Sequence, residues 1–222
     1  MLYKVTEKIS DMHAALVEVF SIGFHACNRS GVSEDDRIVI WGAGKVGQSI
    51  LQAARTKTRN TVVMVDILDE RLAIAQKAFN DINIVNAANA NAVEKIRELT
   101  GGEGVDIAFE AVGHTKEIPG VINPVRGCVQ SIRGAGKVCV LGLSSEPSPV
   151  VMKELILKEG IIMTSRVSHG EFAETIENMS RYTLKPEAVV TDIMHPSETQ
   201  EAFEMLEEEP QKHLKIMLKF SE

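Results

Sequence analysis

Short apolar runs rich in β-branched residues recur along the chain, each followed by a longer stretch whose apolar positions fall three and four apart. The runs are RIVIWG (37–42), TVVMVD (61–66), INIVN (82–86), VDIAFEAVG (105–113), KVCVLGL (137–143) and IIMTSRV (161–167). This pattern predicts six strands. Helical spacing covers 44–57, about 68–79, about 90–100, about 116–133, about 150–158 and 170–181. A strand that is apolar at nearly every position is buried on both faces, and parallel neighbours require a crossover between them. The expected fold class is therefore α/β, a doubly wound parallel sheet with helices on both faces.

Two terminal segments stand outside this alternation. Residues 10–29 place Ala14, Ala15, Val17, Val19, Phe20, Ile22 and Phe24 in a helix-like stretch, with Gly31 as a stop signal before Ser33-Glu34-Asp35-Asp36. At the other end AVVTDIM (188–194) and HLKIMLKF (213–220) read as strands flanking a helix near 198–209. The glutamates of that helix form a solvated face opposite Ala202, Phe203 and Leu206.

Charge narrows the partners. With 24 Lys+Arg against 31 Asp+Glu the net charge is −7, and without a basic stripe a nucleic-acid partner has little electrostatic support. The N-terminal MLYKVTEKISDMH has charge in every turn and no apolar signal core, and no run is long enough to span a bilayer. A cytoplasmic location without membrane contact is expected. Cys27, Cys128 and Cys139 form no C-x-x-C pair, so neither a zinc knuckle nor a redox dithiol is implied.

The candidate chemistry begins where the first strand ends, in Gly42-Ala43-Gly44-Lys45-Val46-Gly47. A G-x-G-x-x-G between strand and helix allows a tight turn at Gly42, close approach of a pyrophosphate at Gly44 and helix–sheet packing at Gly47. Free N–H groups and the positive helix end then face the phosphates. Asp66 closes the second strand, 19 residues past Gly47, where a carboxylate accepts hydrogen bonds from ribose hydroxyls and repels a 2′-phosphate. NAD is thus favoured over NADP. Arg71 follows beside Asp69 and Glu70, which suits the adenine face or solvent better than a phosphate clamp. A methyltransferase sheet also opens on a glycine loop with an acid after its second strand. The strict glycine spacing, the sixth run and the 5% aromatic content argue against it.

AALVEVFSIGFHACNRSGV (14–32), RIVIWGAGKVG, VVMVDILDERLAIA, LTGGEGVDIAFEAVGH, GAGKVCVLGL and HLKIMLKF occur in this order over roughly 14–220. In that order the chain resembles the medium-chain, zinc-dependent alcohol and polyol dehydrogenases, nearest the sorbitol, threonine and idonate/gulonate branch. The resemblance implies a Rossmann fold in which Gly42, Gly44, Lys45, Val46 and Gly47 hold the pyrophosphate, Asp66 the adenosine ribose, and Ala111, Val112 and Gly113 line the adenosine half. It further implies that Gly142, Leu143, Ser165 and Arg166 meet the nicotinamide half, with Arg71 beside the adenosine and Lys215 near the phosphates. On this pattern 1–32 is a junction helix, 33–168 the Rossmann core, and 169–222 a region that borders a catalytic domain.

The chain also departs from the family. A GroES-like catalytic domain with its zinc-binding Cys, G-H-E motif and four-cysteine lobe has no counterpart here, and no His-Glu dipeptide occurs. Neither catalytic nor metal residues are therefore expected. Glu18, which in the polyol branch lies near the zinc, reads as a partly exposed junction carboxylate, and the six histidines lack ligand spacing. The resemblance thus implies an NAD(H)-binding half of an alcohol or polyol dehydrogenase, able to bind cofactor but not to turn over alone, with zinc and substrate held by the other domain. The alternative is a stand-alone NAD-binding sensor or subunit. Family members commonly join Rossmann sheets through the strand equivalent to IIMTSRV, which implies a homo-oligomer. HLKIMLKF is expected to leave Leu214, Ile216 and Leu218 exposed on an unpaired edge.

Overall fold

The computed structural model describes residues 2–113 and 118–220. Helix α1 (Asp11–Ser30) starts at Ser10, whose hydroxyl accepts the His13 N–H at 3.2 Å, and stops at Gly31 with φ 69°. The alternating part follows as β1 (Ile38–Trp41), α2 (Lys45–Arg55), β2 (Val62–Asp66), α3 (Asp69–Ala78), β3 (Asn83–Asn86), α4 (Ala92–Leu99), β4 (Val105–Glu110), α5 (Pro124–Ser131), β5 (Ile132–Val140), α6 (Met152–Ile156), β6 (Ile161–Thr164) and α7 (Phe172–Ser180). The six strands form one sheet in the order β3-β2-β1-β4-β5-β6, and every pair is parallel. The doubly wound Rossmann fold follows from the pattern of apolar runs.

The period of two along each strand divides the core. Ile38, Ile40, Val62, Met64, Ile107 and Phe109 face one side and pack with Phe20, Phe24, Ile50, Leu51 and Leu72 of α1, α2 and α3. Val39, Trp41, Val63, Val65 and Ala108 face the other, with Val93, Ile96, Cys128, Val129 and Leu155 of α4, α5 and α6. Both faces are covered, as near-continuous apolar strands require.

Several boundaries differ from the sequence reading. Helical spacing over 116–133 yields only α5, because Pro119 and Gly120 break the pattern and Asn123 starts the helix afresh, its side chain accepting the Val125 and Arg126 N–H groups. Part of that predicted segment, 114–117, lies outside the described residues. β5 starts at Ile132, five residues before the apolar run at Lys137, and is irregular there, with Ala135 at φ 58° and a register shift against β4. Strand geometry also ends three residues early in three runs, at Glu110, at Val140 and at Thr164.

HLKIMLKF is not an orphan edge. Its β8 (Ile216–Leu218) pairs in parallel with β7 (Asp192–Met194), with α8 (Thr199–Glu208) between them in the chain. Leu214 is buried, and Ile216 and Leu218 are half-buried. Leu214 joins the core packed with α1, α2 and α3, which relieves the exposure that the sequence alone suggested.

Helices α1 and α2 meet so closely that a Cβ on Gly23 would lie 2.3 Å from the Ser49 carbonyl oxygen. Intrinsic propensity favours Gly23→Ala by ~1 kcal/mol, yet overpacking of this kind costs about 1–3 kcal/mol. We expect Gly23→Ala to lower the urea midpoint at unchanged m-value; a higher midpoint would contradict the packing.

Candidate functional site

The sheet order reverses at β1, which sends its crossover toward β2 while β4 lies on the other side. Loops leaving β1 and β4 diverge at such a switch point and open a crevice at the carboxyl ends of the strands. A cleft of about 1590 Å³ lies there. Gly42, Gly44, Lys45, Val46, Asp66, Arg71, Ala111, Val112, Gly113, Gly142, Leu143 and Lys215 all line it. Gly47 lies directly beneath.

The glycine loop explains itself residue by residue. Gly42 has φ +99°, and its N–H donates to the Val65 carbonyl at 2.8 Å. A Cβ at Gly47 would lie 1.7 Å from the Gly42 carbonyl oxygen, so only glycine lets α2 start this close to the turn. Gly44, the residue before α2, has ordinary φ and open space: a Cβ there would come no closer than 4.0 Å to another group, Arg71 Nη1. The vacancy lies where a ligand's phosphates would face the N-terminus of α2. Gln48 then anchors the loop to α3, its amide donating to the Ala43 carbonyl at 3.2 Å and the Arg71 carbonyl at 3.1 Å.

Asp66 ends β2 half-buried. Its Oδ2 accepts the Ala43 N–H at 2.6 Å, and its Oδ1 accepts those of Ile67 at 2.7 Å and Leu68 at 3.0 Å. The carboxylate is fixed in the cleft by backbone alone. Arg71 also reaches the cleft, but its guanidinium donates from Nε and Nη2 to the Pro210 carbonyl at 3.2 and 2.9 Å, tying α3 to the C-terminal segment.

That segment supplies a wall the sequence reading largely missed. Phe203, Leu206, Pro210, His213 and Leu214 join Lys215 along the cleft. His213 Nδ1 lies 2.7 Å from Asp192 Oδ2. Burial raises the Asp192 carboxyl, but hydrogen bonds from His213 and Thr191 outweigh it and hold the group below its ordinary value. Facing this wall, Ile118–Pro124 and Arg126 form the other side.

Ser165 and Arg166 do not line the cleft: Ser165 is buried with no partner for its hydroxyl, and Arg166 is exposed. The ladder to β5 reaches Ser165, whose N–H donates to the Val140 carbonyl at 3.0 Å. Glu18 lies on the exposed side of α1. Glu110 is the opposite case, absent from the sequence reading yet buried at the end of β4. Its Oε1 accepts the Val112 and Gly113 N–H groups at 2.8 and 3.0 Å, and its Oε2 accepts that of Gly142 at 3.1 Å. The only advance signal was an acid following the apolar run Ile107–Phe109 at the end of the strand.

Among the described residues no three His, Cys, Asp or Glu side chains converge in a way that could hold a metal ion. No helix of the described residues is long and apolar enough to cross a membrane.

Comparison with known proteins places this geometry in context. The profile of zinc-binding dehydrogenases matches residues 46–181. The chain is 26% identical over 223 positions to the starvation-sensing protein RspB of Escherichia coli K12, covering 99% of this chain and 62% of that protein. It is 27% identical to sorbitol dehydrogenase of Bacillus subtilis, covering 98% and 60%. A short chain alcohol dehydrogenase (rspB) of Escherichia coli CFT073, solved with NADH, superimposes with TM-score 0.87 at 25% identity, covering 98% of this chain and 62% of that one. The chain thus spans about three fifths of the length of these relatives.

The second and third glycines of the loop separate a packing role from an open position. We expect Gly47→Ala to lower the melting temperature markedly, because its Cβ has nowhere to go, while Gly44→Ala leaves it unchanged within a degree or two. Differential scanning calorimetry reads both; equal losses would contradict the distinction.

Proposed function

The chain belongs to the zinc-binding dehydrogenase family, and from that membership we propose that it is the NAD(H)-binding part of an alcohol or polyol dehydrogenase. One observation carries the reading. The glycine turn beneath α2 and the Asp66 carboxylate at the end of β2 face a single cleft at the switch point of a doubly wound sheet.

The residues present fit a dinucleotide. The open space at Gly44 and the N-terminus of α2 receive the pyrophosphate, with Lys45 and Lys215 on the walls to balance its charge. Asp66 accepts the ribose hydroxyls. Three backbone N–H groups already engage it, so a ribose hydroxyl shares or displaces the Ala43 contact. Across β1, the loop at 111–113 borders the adenosine half and the loop at 142–143 receives the nicotinamide half. The chemistry such a cofactor supplies is acceptance of hydride from a secondary alcohol. This chain's share is position: a rigid cleft that fixes one reactant and lowers the entropic part of the barrier.

The described residues do not fit a catalytic zinc, so no step of alcohol activation is assigned to them. We assign the substrate and its polarising ion to a catalytic part of the enzyme like the region of the relatives beyond the aligned three fifths. A homo-oligomer completes the proposal. Among the described residues β6 pairs only with β5, and Ile161 and Ile162 of β6 are exposed, as are Ile156 and Leu157 at the end of α6 before it. An edge of this kind suits two-fold pairing with a second copy.

Two measurements test these statements. Isothermal titration should show NAD(H) binding at least about tenfold more tightly than NADP(H), since like-charge repulsion and a lost ribose bond are together worth about 1.4 kcal/mol or more. Asp66→Ala should narrow the gap; equal affinities in the unaltered chain would overturn the assignment. Light scattering at micromolar concentration should return a dimer, and the mass of one 24.3-kDa chain would overturn the edge pairing.

A further inference from the structure

Resting on the NAD(H) reading, this inference concerns which redox form of the cofactor the cleft favours. Among the described residues Glu110 is the only acidic or basic residue that is fully buried, at 3% exposure. It makes no ion pair among the described residues, and its carboxylate is held by three backbone N–H groups. Burying an anion without a counter-ion is costly even when hydrogen-bonded. Here the cost maintains a pinch between two loops. A Cβ on Gly142 would lie 2.4 Å from Glu110 Oε2 and 2.4 Å from Gly113 Cα, so both glycine backbones close over the carboxylate.

The place of that charge follows from the strand order. Asp66 and the end of β2 lie on one side of β1, and β4 with β5 lies on the other. A dinucleotide crossing the switch point puts its ribose-adenine half over the first and its nicotinamide half over the second. Glu110 does not itself line the cleft; at the end of β4 and bonded to Gly142 of the loop after β5, it lies behind the wall that receives the second half. The facing cations lie elsewhere or are paired. Lys45 and Lys215 flank the phosphate region, and Arg126 is committed to Glu154 at 2.9 Å.

Oxidised and reduced nicotinamide rings differ by one positive charge. We propose that Glu110, through its buried negative charge behind the nicotinamide half, biases the cleft toward the oxidised, cationic form of NAD. It acts as a positioning residue for the two loops and as a fixed field on whatever they hold. A purely structural clamp would weaken or strengthen both redox forms alike. A field changes their ratio.

The test titrates NAD⁺, NADH and ADP-ribose into the full chain and its variants. Glu110→Gln keeps size and most hydrogen bonding but removes the charge. It should raise the ratio Kd(NAD⁺)/Kd(NADH) by about threefold to tenfold, the effect of one charge across a partly desolvated cleft, with ADP-ribose affinity unchanged. Glu110→Asp keeps the charge and should keep the ratio even where all affinities fall. A ratio within twofold of the unaltered chain in a folded Glu110→Gln protein would overturn the proposal. Should that variant fail to fold, Val112→Lys places an ammonium on the cleft wall, in the loop that Glu110 holds, without removing any of the three hydrogen bonds. The ratio must then rise, and an unchanged ratio overturns the proposal. Failure of the unaltered chain to bind NAD⁺ or NADH at all would instead overturn the cofactor reading and this inference with it.

Discussion

Helix α2 begins directly over the end of β1 because residue 47 carries only hydrogen. With a Cβ position 1.7 Å from the Gly42 carbonyl oxygen, any side chain would push the helix off the turn. Three features depend on that contact. It aims the N-terminus of α2 at the cleft, it brings the Ala43 N–H to Asp66, and it lets Gln48 bridge the loop to α3. Shape and electrostatics of the site therefore share one steric origin. The positive helix end and the fixed carboxylate face the same space because the backbone can approach itself so closely.

The rest of the cleft is assembled from segments distant in the chain. Arg71 holds the Pro210 carbonyl, and the Asp192–His213 contact fastens β7 to the turn before β8. Together they bring the C-terminal segment against the glycine loop, so that one cleft has walls from both halves of the sequence. The same pairing satisfies backbone groups of β8 and covers Leu214. What looked like a sticky strand becomes a wall.

How legible this was depended on the range of the causes. Strands β1 to β4, the glycine turn and Asp66 were readable because period-two burial, strand–turn–helix order and a 19-residue spacing are local. The start of β5 was not. Ile132–Gly136 pairs with β4 through an irregularity, with Arg133 bonded to Asp106 and the Ala135 N–H donating to the Lys158 carbonyl, none of which the local sequence declares. Glu110 reads on its own as a flaw in an apolar strand, and its sense appears only when the loops after β4 and β5 meet. Ser165 and Arg166 were placed by family order alone; Ser165 is buried at the end of the β5–β6 ladder and Arg166 is exposed beyond it.

The central claim is that one dinucleotide lies across the switch point, touching loops from both sides of β1. Amide hydrogen exchange of the full chain with and without NAD⁺ tests it most directly, because it reads each loop separately. Slowed exchange is predicted both in Gly42–Gly47 and in the loops at Ala111–Gly113 and Leu141–Leu143. Protection confined to one side of β1, or located away from these loops, would contradict the account.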